Sequence, residues 1–171
     1  MTAQLGSGID IFLHPGDWYF GDRDTRIHTT LGSCIAVTLW HPELKLGGMC
    51  HYMLPGRSLE STLNARYGAD ALELLVAEIR QQGTVVTDYE AKLFGGASMF
   101  DVGPHGSSVA RRNVDAAEAL MAHYGLSVTS RSLGGTGYRR LFFSIADGDV
   151  WVRRGESRAE PASPVSSGGV A

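Results

Sequence analysis

The sequence predicts an α/β domain: mainly antiparallel sheets flanked by two helices. Three observations lead there. Short β-branched and apolar runs recur between turn-forming residues, which is strand patterning. Two longer segments carry apolar residues at helical spacing. With 171 residues, 43% of them hydrophobic, the chain has the length of one domain and the apolar content for a real core. Strands outnumber helices and hairpins dominate, so the helices must cover sheet faces.

The elements follow in order. Residues 1–10 are small and polar and read as a mobile lead-in. Residues 26–30 form a short strand. Residues 35–40 (IAVTLW) and 46–54 are two further strands, the second stopped by Pro55, with HPEL at 41–44 as their loop. Residues 67–82 form an amphipathic helix, because Leu72, Leu75, Val76 and Ile79 fall at i, i+3, i+4 and i+7 and Gly83 follows. Residues 91–94 are a buried strand running into Gly95 and Gly96. A second helix spans 108–124, with Val109, Ala116, Ala117, Leu120, Met121 and Tyr124 near one face and Gly125 at its end. Residues 126–133 alternate as a strand, and 141–146 and 150–153 make a hairpin around Asp147-Gly148. Residues 155–171 (GESRAEPASPVSSGGVA) read as a disordered tail, leaving 9–154 as the folded domain.

Composition narrows the function. Fifteen Lys and Arg against eighteen Asp and Glu give a net charge of −3, without the basic footprint that nucleic acid or an anionic membrane requires. No signal sequence and no membrane-spanning run is visible, which places the chain in a reducing cytoplasm. Two cysteines, Cys34 and Cys50, build neither a disulfide scaffold nor a four-cysteine zinc site. The histidines show no metal-ligand spacing, so no metal and no cofactor is expected. Gly95-Gly96 and Gly134-Gly135 fit no phosphate-loop pattern and read as tight turns near a site. Arg111-Arg112 and Arg139-Arg140 form two basic pairs that read as solvated surface, with docking of an acidic helix as the alternative.

The first hairpin separates the cysteines. With HPEL as the loop, Trp40 pairs with Lys45, Cys34 lies opposite His51 and Ile35 opposite Cys50. One face then carries Ile35, Val37, Leu39, Leu46 and Cys50 and is core; the other carries Cys34, Thr38, Trp40, Met49 and His51 and is partly open. A directly paired thiol and imidazole are within hydrogen-bonding reach, the minimum for a thiol nucleophile with its base. Gly32 lets the chain bend ahead of Cys34, freeing backbone N–H groups for an oxyanion. A third polar group must orient the ring, and Thr29 or Thr30 can serve. If the segment is extended, only one of them faces the ring.

These residues resemble a family. LGSCIAVTLWHPELKLGGMCHYMLP (31–55) is similar to the signature of CheD, the chemoreceptor glutamine deamidases of bacterial chemotaxis, and more distantly to the deamidase domain of cytotoxic necrotizing factor toxins. RYGADALELL (66–75), KLFGGASMF (92–100), RRNV (111–114) and SLGGTGYRRLFFSIADGDVWVRR (132–154) extend the resemblance in the same order. It implies a Cys–His–Thr triad, with Cys34 as nucleophile, His51 as general base and Thr29 as the third member, Thr30 being the alternative. Two departures stand out: Val109-Ala110-Arg111 where the family has Ile-Gly-Glu, and Tyr138 where it has glycine.

The resemblance further implies conversion of receptor glutamines to glutamate through a thioester, with glutamyl methyl ester hydrolysis open to the same acyl-enzyme. It implies methyl-accepting chemotaxis receptors and a CheC-type phosphatase as partners. The alternative within the same pathway is a non-catalytic adaptor binding both. A Cys34–Cys50 redox switch is disfavoured by the opposite faces of the two cysteines.

Overall fold

The computed structural model describes residues 8–98 and 108–156. Within them the chain runs β1 (Ile9–Leu13), β2 (Trp18–Gly21), β3 (Thr25–Leu31), β4 (Ile35–His41), β5 (Leu46–Tyr52), α1 (Gly68–Gln81), β6 (Glu90–Gly95), α2 (Val109–Tyr124), β7 (Ser127–Leu133), β8 (Tyr138–Ser144) and β9 (Val150–Gly155). The strands form two sheets, β1-β3-β8-β9 and β2-β5-β4-β6-β7. Pairing is antiparallel except for the β1–β3 and β6–β7 ladders. Both helices pack on one face of the five-stranded sheet, and the four-stranded sheet packs on its other face. The expected α/β class holds, in three layers.

Each layer boundary has its own core. Ile35, Val37, Leu39 and Cys50 meet the α1 stripe of Leu72, Leu75, Val76 and Ile79. Between the sheets lie Leu13, Ile27, Leu31, Ala36, Met49, Phe94, Leu141 and Phe143. Alternation therefore sorts each strand of the central sheet onto two buried surfaces. The β4–β5 face that carries Met49 and His51 is not partly open as its mixed composition suggested: Ala36 and Met49 are fully buried under the second sheet.

The β4–β5 register also differs. Ile35 pairs with Tyr52, Ala36 with His51 and Val37 with Cys50. The loop is Pro42 to Lys45, one residue later than expected. His41 remains in the strand, its carbonyl accepting the Lys45 N–H and its Nδ1 the Leu44 N–H. Lys45 takes the positive φ (54°) that closes the turn. The pairing is displaced by two positions, so every side chain keeps its predicted face while direct opposition of Cys34 and His51 is lost. Cys34 immediately precedes β4 instead.

Two strands were absent from the sequence reading. β1 lies in a segment read partly as a mobile lead-in, and β2 follows after one turn. The signal for β1 is the spacing of Ile9, Ile11 and Leu13, of which Ile11 and Leu13 pack on the inter-sheet core. Conversely, the predicted strand at 46–54 ends at Tyr52; Leu54 makes only an isolated bridge with Tyr67. β9 continues through Gly155, and the rest of the predicted tail, 157–171, lies outside the described residues. Among those described, no helix is long and apolar enough to cross a membrane.

Candidate active site

The site forms where the two sheets converge at the end of β3. Chain direction explains the convergence: β3 belongs to the four-stranded sheet, Gly32 and Ser33 leave it, and Cys34 delivers the chain into β4 of the five-stranded sheet. Cys34 is half-buried against the inter-sheet core. His51, on β5, faces the same core and is 1% exposed. Ala36 pairs with His51, and Cys34, two residues before Ala36 and just outside the ladder, packs against the same inter-sheet core that His51 faces.

Thr29 comes from the facing sheet. Its side chain points inward, 1% exposed. The Thr29 hydroxyl lies 2.7 Å from the Leu13 carbonyl oxygen and 2.8 Å from His51 Nδ1. A hydroxyl has one proton and a carbonyl only accepts. Thr29 therefore donates to Leu13 and accepts from Nδ1–H, which fixes the ring tautomer and leaves the lone pair on Nε2. That atom is buried with no hydrogen-bond partner. Thr30 is exposed on the opposite side of β3, so strand alternation presents only Thr29 to the ring.

The β1–β2 turn holds the rest of His51. Its N–H donates to the Asp17 carbonyl (3.0 Å) and its carbonyl accepts the Gly16 N–H (2.8 Å). Burial pulls the imidazole pKa down from 6.5 to about 4, against a smaller opposing pull from the Asp17 carboxylate. The ring is thus neutral at neutral pH and able to take a proton. Burial raises the Cys34 thiol, partly offset by its own backbone N–H. Cys50 faces the helix-side core, where burial pushes its thiol up to about 12. The cysteines accordingly sit on opposite faces, as the alternation predicted.

Glycine bends clamp Cys34. Gly96 N–H donates to the Cys34 carbonyl and Ala97 N–H to that of Gly32, both at 2.9 Å. Gly95 has φ +109°, and a Cβ there would sit 2.1 Å from the Cys34 oxygen. The Gly95 oxygen in turn accepts from Gly134 N–H. These glycines pack backbone against backbone beside the candidate nucleophile.

A scan against family models matches residues 53–154 to CheD, described as chemotactic sensory transduction. Curated relatives extend the similarity over the site. One is the "probable chemoreceptor glutamine deamidase CheD 1" of Chromobacterium violaceum, 41% identical over 162 residues, spanning 92% of this chain and 84% of that one. Another is the "probable chemoreceptor glutamine deamidase CheD" of Pseudomonas fluorescens, 46% identical over 157 residues (90% and 88%). A "probable chemoreceptor glutamine deamidase CheD 1" of Leptospira interrogans is 39% identical over 167 residues (91% and 99%). The chain belongs to the CheD family.

Two polar residues support the site in this CheD chain, and the sequence reading gave neither that part. Asn113 of α2 is fully buried; its side-chain amide N–H group donates to the Ser33 carbonyl (3.1 Å) and the Met53 carbonyl (2.9 Å), while its backbone carbonyl accepts the Tyr52 hydroxyl (2.7 Å). It joins the chain just before Cys34 to the chain just after His51. Its signal is a polar residue in line with the buried Ala110, Ala117 and Met121. Arg139, read as solvated surface, is 1% exposed. Its guanidinium donates to Ser132 Oγ, Gly95 O and Gly134 O, and no carboxylate pairs with it among the described residues. Arg140, its neighbour, is exposed.

The departures from the CheD pattern are local. Tyr138 pairs with Gly155, and its ring occupies the space a Gly155 side chain would need. Arg111 is exposed and pairs with Asp115 one turn on (3.2 Å).

Proposed function

We propose that this CheD-family protein is a protein-glutamine deamidase of chemoreceptors, with Cys34 as nucleophile, His51 as general base and Thr29 as the residue that orients the base. The observation that carries the reading is the Thr29–His51 bond. It commits Nδ1 and leaves Nε2 as a buried acceptor without a partner, on the face shared by Cys34 and not by Cys50.

Nε2 takes the Cys34 proton as sulfur attacks the side-chain amide carbon of a glutamine. The carbonyl π pair moves to oxygen, where backbone N–H groups beside Cys34 are the candidate donors to the oxyanion. When the tetrahedral intermediate collapses, the C–N bond breaks and the imidazolium returns its proton to the leaving ammonia. Water, deprotonated by Nε2, then attacks the thioester. The C–S bond breaks, glutamate is released and the thiolate is reprotonated. A glutamyl methyl ester enters the same cycle with methanol as leaving group.

Only the nucleophile needs the charged form, and it needs it only during attack. A neutral thiol beside a neutral imidazole is the resting pair that the two burial effects favour. The reaction takes place in the cytoplasm on the receptor's intracellular segment, and a CheC-type phosphatase is a second partner that would compete for the free enzyme.

Incubation with a receptor cytoplasmic domain tests this, reading ammonia release and the mass change of deamidation. Cys34→Ala should abolish both and Cys50→Ala should retain them. Activity persisting in Cys34→Ala overturns the assignment. Receptor binding by the wild type without ammonia release would instead leave an adaptor.

A further inference from the structure

The outer face of the β1-β3-β8-β9 sheet carries no covering layer among the described residues, and its side chains are not those of a solvated face. Phe12, His28, Phe142 and Trp151 occupy one register line across all four strands. Phe12 meets His28 edge-on at 5.3 Å, and His28 stacks on Phe142 at 5.5 Å. Exposure is 47% at Phe12, 50% at Phe142 and 70% at Trp151. A cavity of about 650 Å³ opens beside His28, Phe142 and Trp151. Contiguous apolar surface of this kind marks a contact site in a soluble domain.

Charge on the same face is one-sided. On one flank of the aromatic line Arg26 is neutralised by Asp10, 2.9 Å away. On the other flank Arg140 pairs in register with Arg153; both are exposed, and neither has an ion-pair partner among the described residues. This second flank is the end at which β3 runs into Gly32 and Cys34. A chain of net charge −3 thus places two arginines without an ion-pair partner among the described residues on the flank of the aromatic line toward which β3 runs to Cys34.

We propose that this face docks an acidic segment of the receptor that also bears apolar residues, holding it while its glutamine reaches Cys34. The proposal rests on the deamidase reading and supplies its substrate-binding surface. A second copy of the chain fits less well: the only carboxylate on the strands of this face is Asp10, already held by Arg26, so a copy brings no free acid to Arg140 and Arg153. An acidic receptor segment supplies one, and its apolar residues cover the rings.

Binding is measured apart from catalysis, by titrating the receptor cytoplasmic domain into full-length Cys34→Ala protein. Phe142→Ser/Trp151→Ser and Arg140→Glu/Arg153→Glu, each in that background, should raise Kd by about tenfold or more. The parent's affinity should fall with added salt, and the charge-reversed variant's should not. Cooperative thermal unfolding checks each fold; should the aromatic variant not fold, the charge reversal decides. Affinities within about twofold of the parent overturn the proposal, as does a parent dimer that both variants dissolve. If wild-type protein releases no ammonia yet the variants still lose binding, the docking surface stands and the deamidase reading falls.

Discussion

Thr29 and His51 come from different sheets and share one hydrogen bond, 2.8 Å from Oγ1 to Nδ1. Its direction is set by a third group: the Leu13 carbonyl, 2.7 Å from the same oxygen, takes the only hydroxyl proton. A strand missing from the sequence reading thus decides which ring nitrogen of His51 is basic.

Removing the Thr29 hydroxyl should therefore damage both fold and rate. Thr29→Val leaves the Leu13 carbonyl and Nδ1–H buried and unpaired, at about 1–3 kcal/mol for each group. The ring loses its tautomer lock, and kcat should drop by about a hundredfold or more. Thr29→Ser keeps the hydroxyl and should recover most of the rate. Deamidation kinetics and thermal melts of the two variants check this; equal rates in both would refute the orienting role.

Acid should destabilise the protein through His51. The folded pKa, about 4, lies below the ordinary 6.5. Below pH 6.5 the unfolded chain takes a proton that the folded one refuses, so stability falls with pH across the window from 6.5 to 4. The full effect is about 3 kcal/mol. His51→Gln should remove that part of the slope in urea melts taken at several pH values. In the wild type, the acid limb of kcat/KM should lie near pH 4 instead of 6.5.

Gly95→Ala should fail at the nucleophile. The φ of +109° disfavours a side chain, and the new Cβ would overlap the Cys34 carbonyl. The cost is at least about 2 kcal/mol. Melting temperature and the alkylation rate of Cys34 report fold and nucleophile geometry separately, and a wild-type value for both would contradict the clamp.

Arg139 holds the Gly95 and Gly134 bends without a counter-charge. Arg139→Met removes the side-chain donor to the Gly134 carbonyl and leaves that of Gly95 only the Gly134 N–H; it should lower kcat by about tenfold or more, with a loss of stability of about 1–3 kcal/mol. Arg139→Lys retains the charge but not the three-way fork, and should rescue only in part. Indistinguishable rates in both variants would remove Arg139 from the support of the site.

Asn113 offers a separate handle on the same backbone. Asn113→Ala frees the Ser33 and Met53 carbonyls, which are the two ends of the β4–β5 hairpin. A destabilisation of about 2 kcal/mol is expected, together with a lower kcat. Amide exchange at the Cys34 and Met53 backbones should quicken, and unchanged protection there would argue against the brace.

Local patterns carried much of the fold. Residues 72–79 display one apolar stripe and become the buried face of α1. Gly125 ends α2 as read, and Ser108, read as the first helical residue, is its N-cap. β1 was missed because its outward residues, Asp10 and Phe12, mask a short inward pattern. The β4–β5 register was misplaced because Lys45 adopts a positive φ that nothing in its residue type announces.

The sequence by itself determined the family resemblance, the two helices, the central hairpin and the side of the sheet each cysteine occupies. Alternation has a period of two, and the two-position shift in pairing left that period intact. Tertiary structure decided what a linear pattern does not encode. Packing one sheet on the other brought Thr29 to His51, buried the face that looked open and lowered the imidazole pKa. It also turned Arg139 inward while leaving Arg140 outside, although the two are identical neighbours in the chain. The difference between them is which side of β8 faces the second sheet.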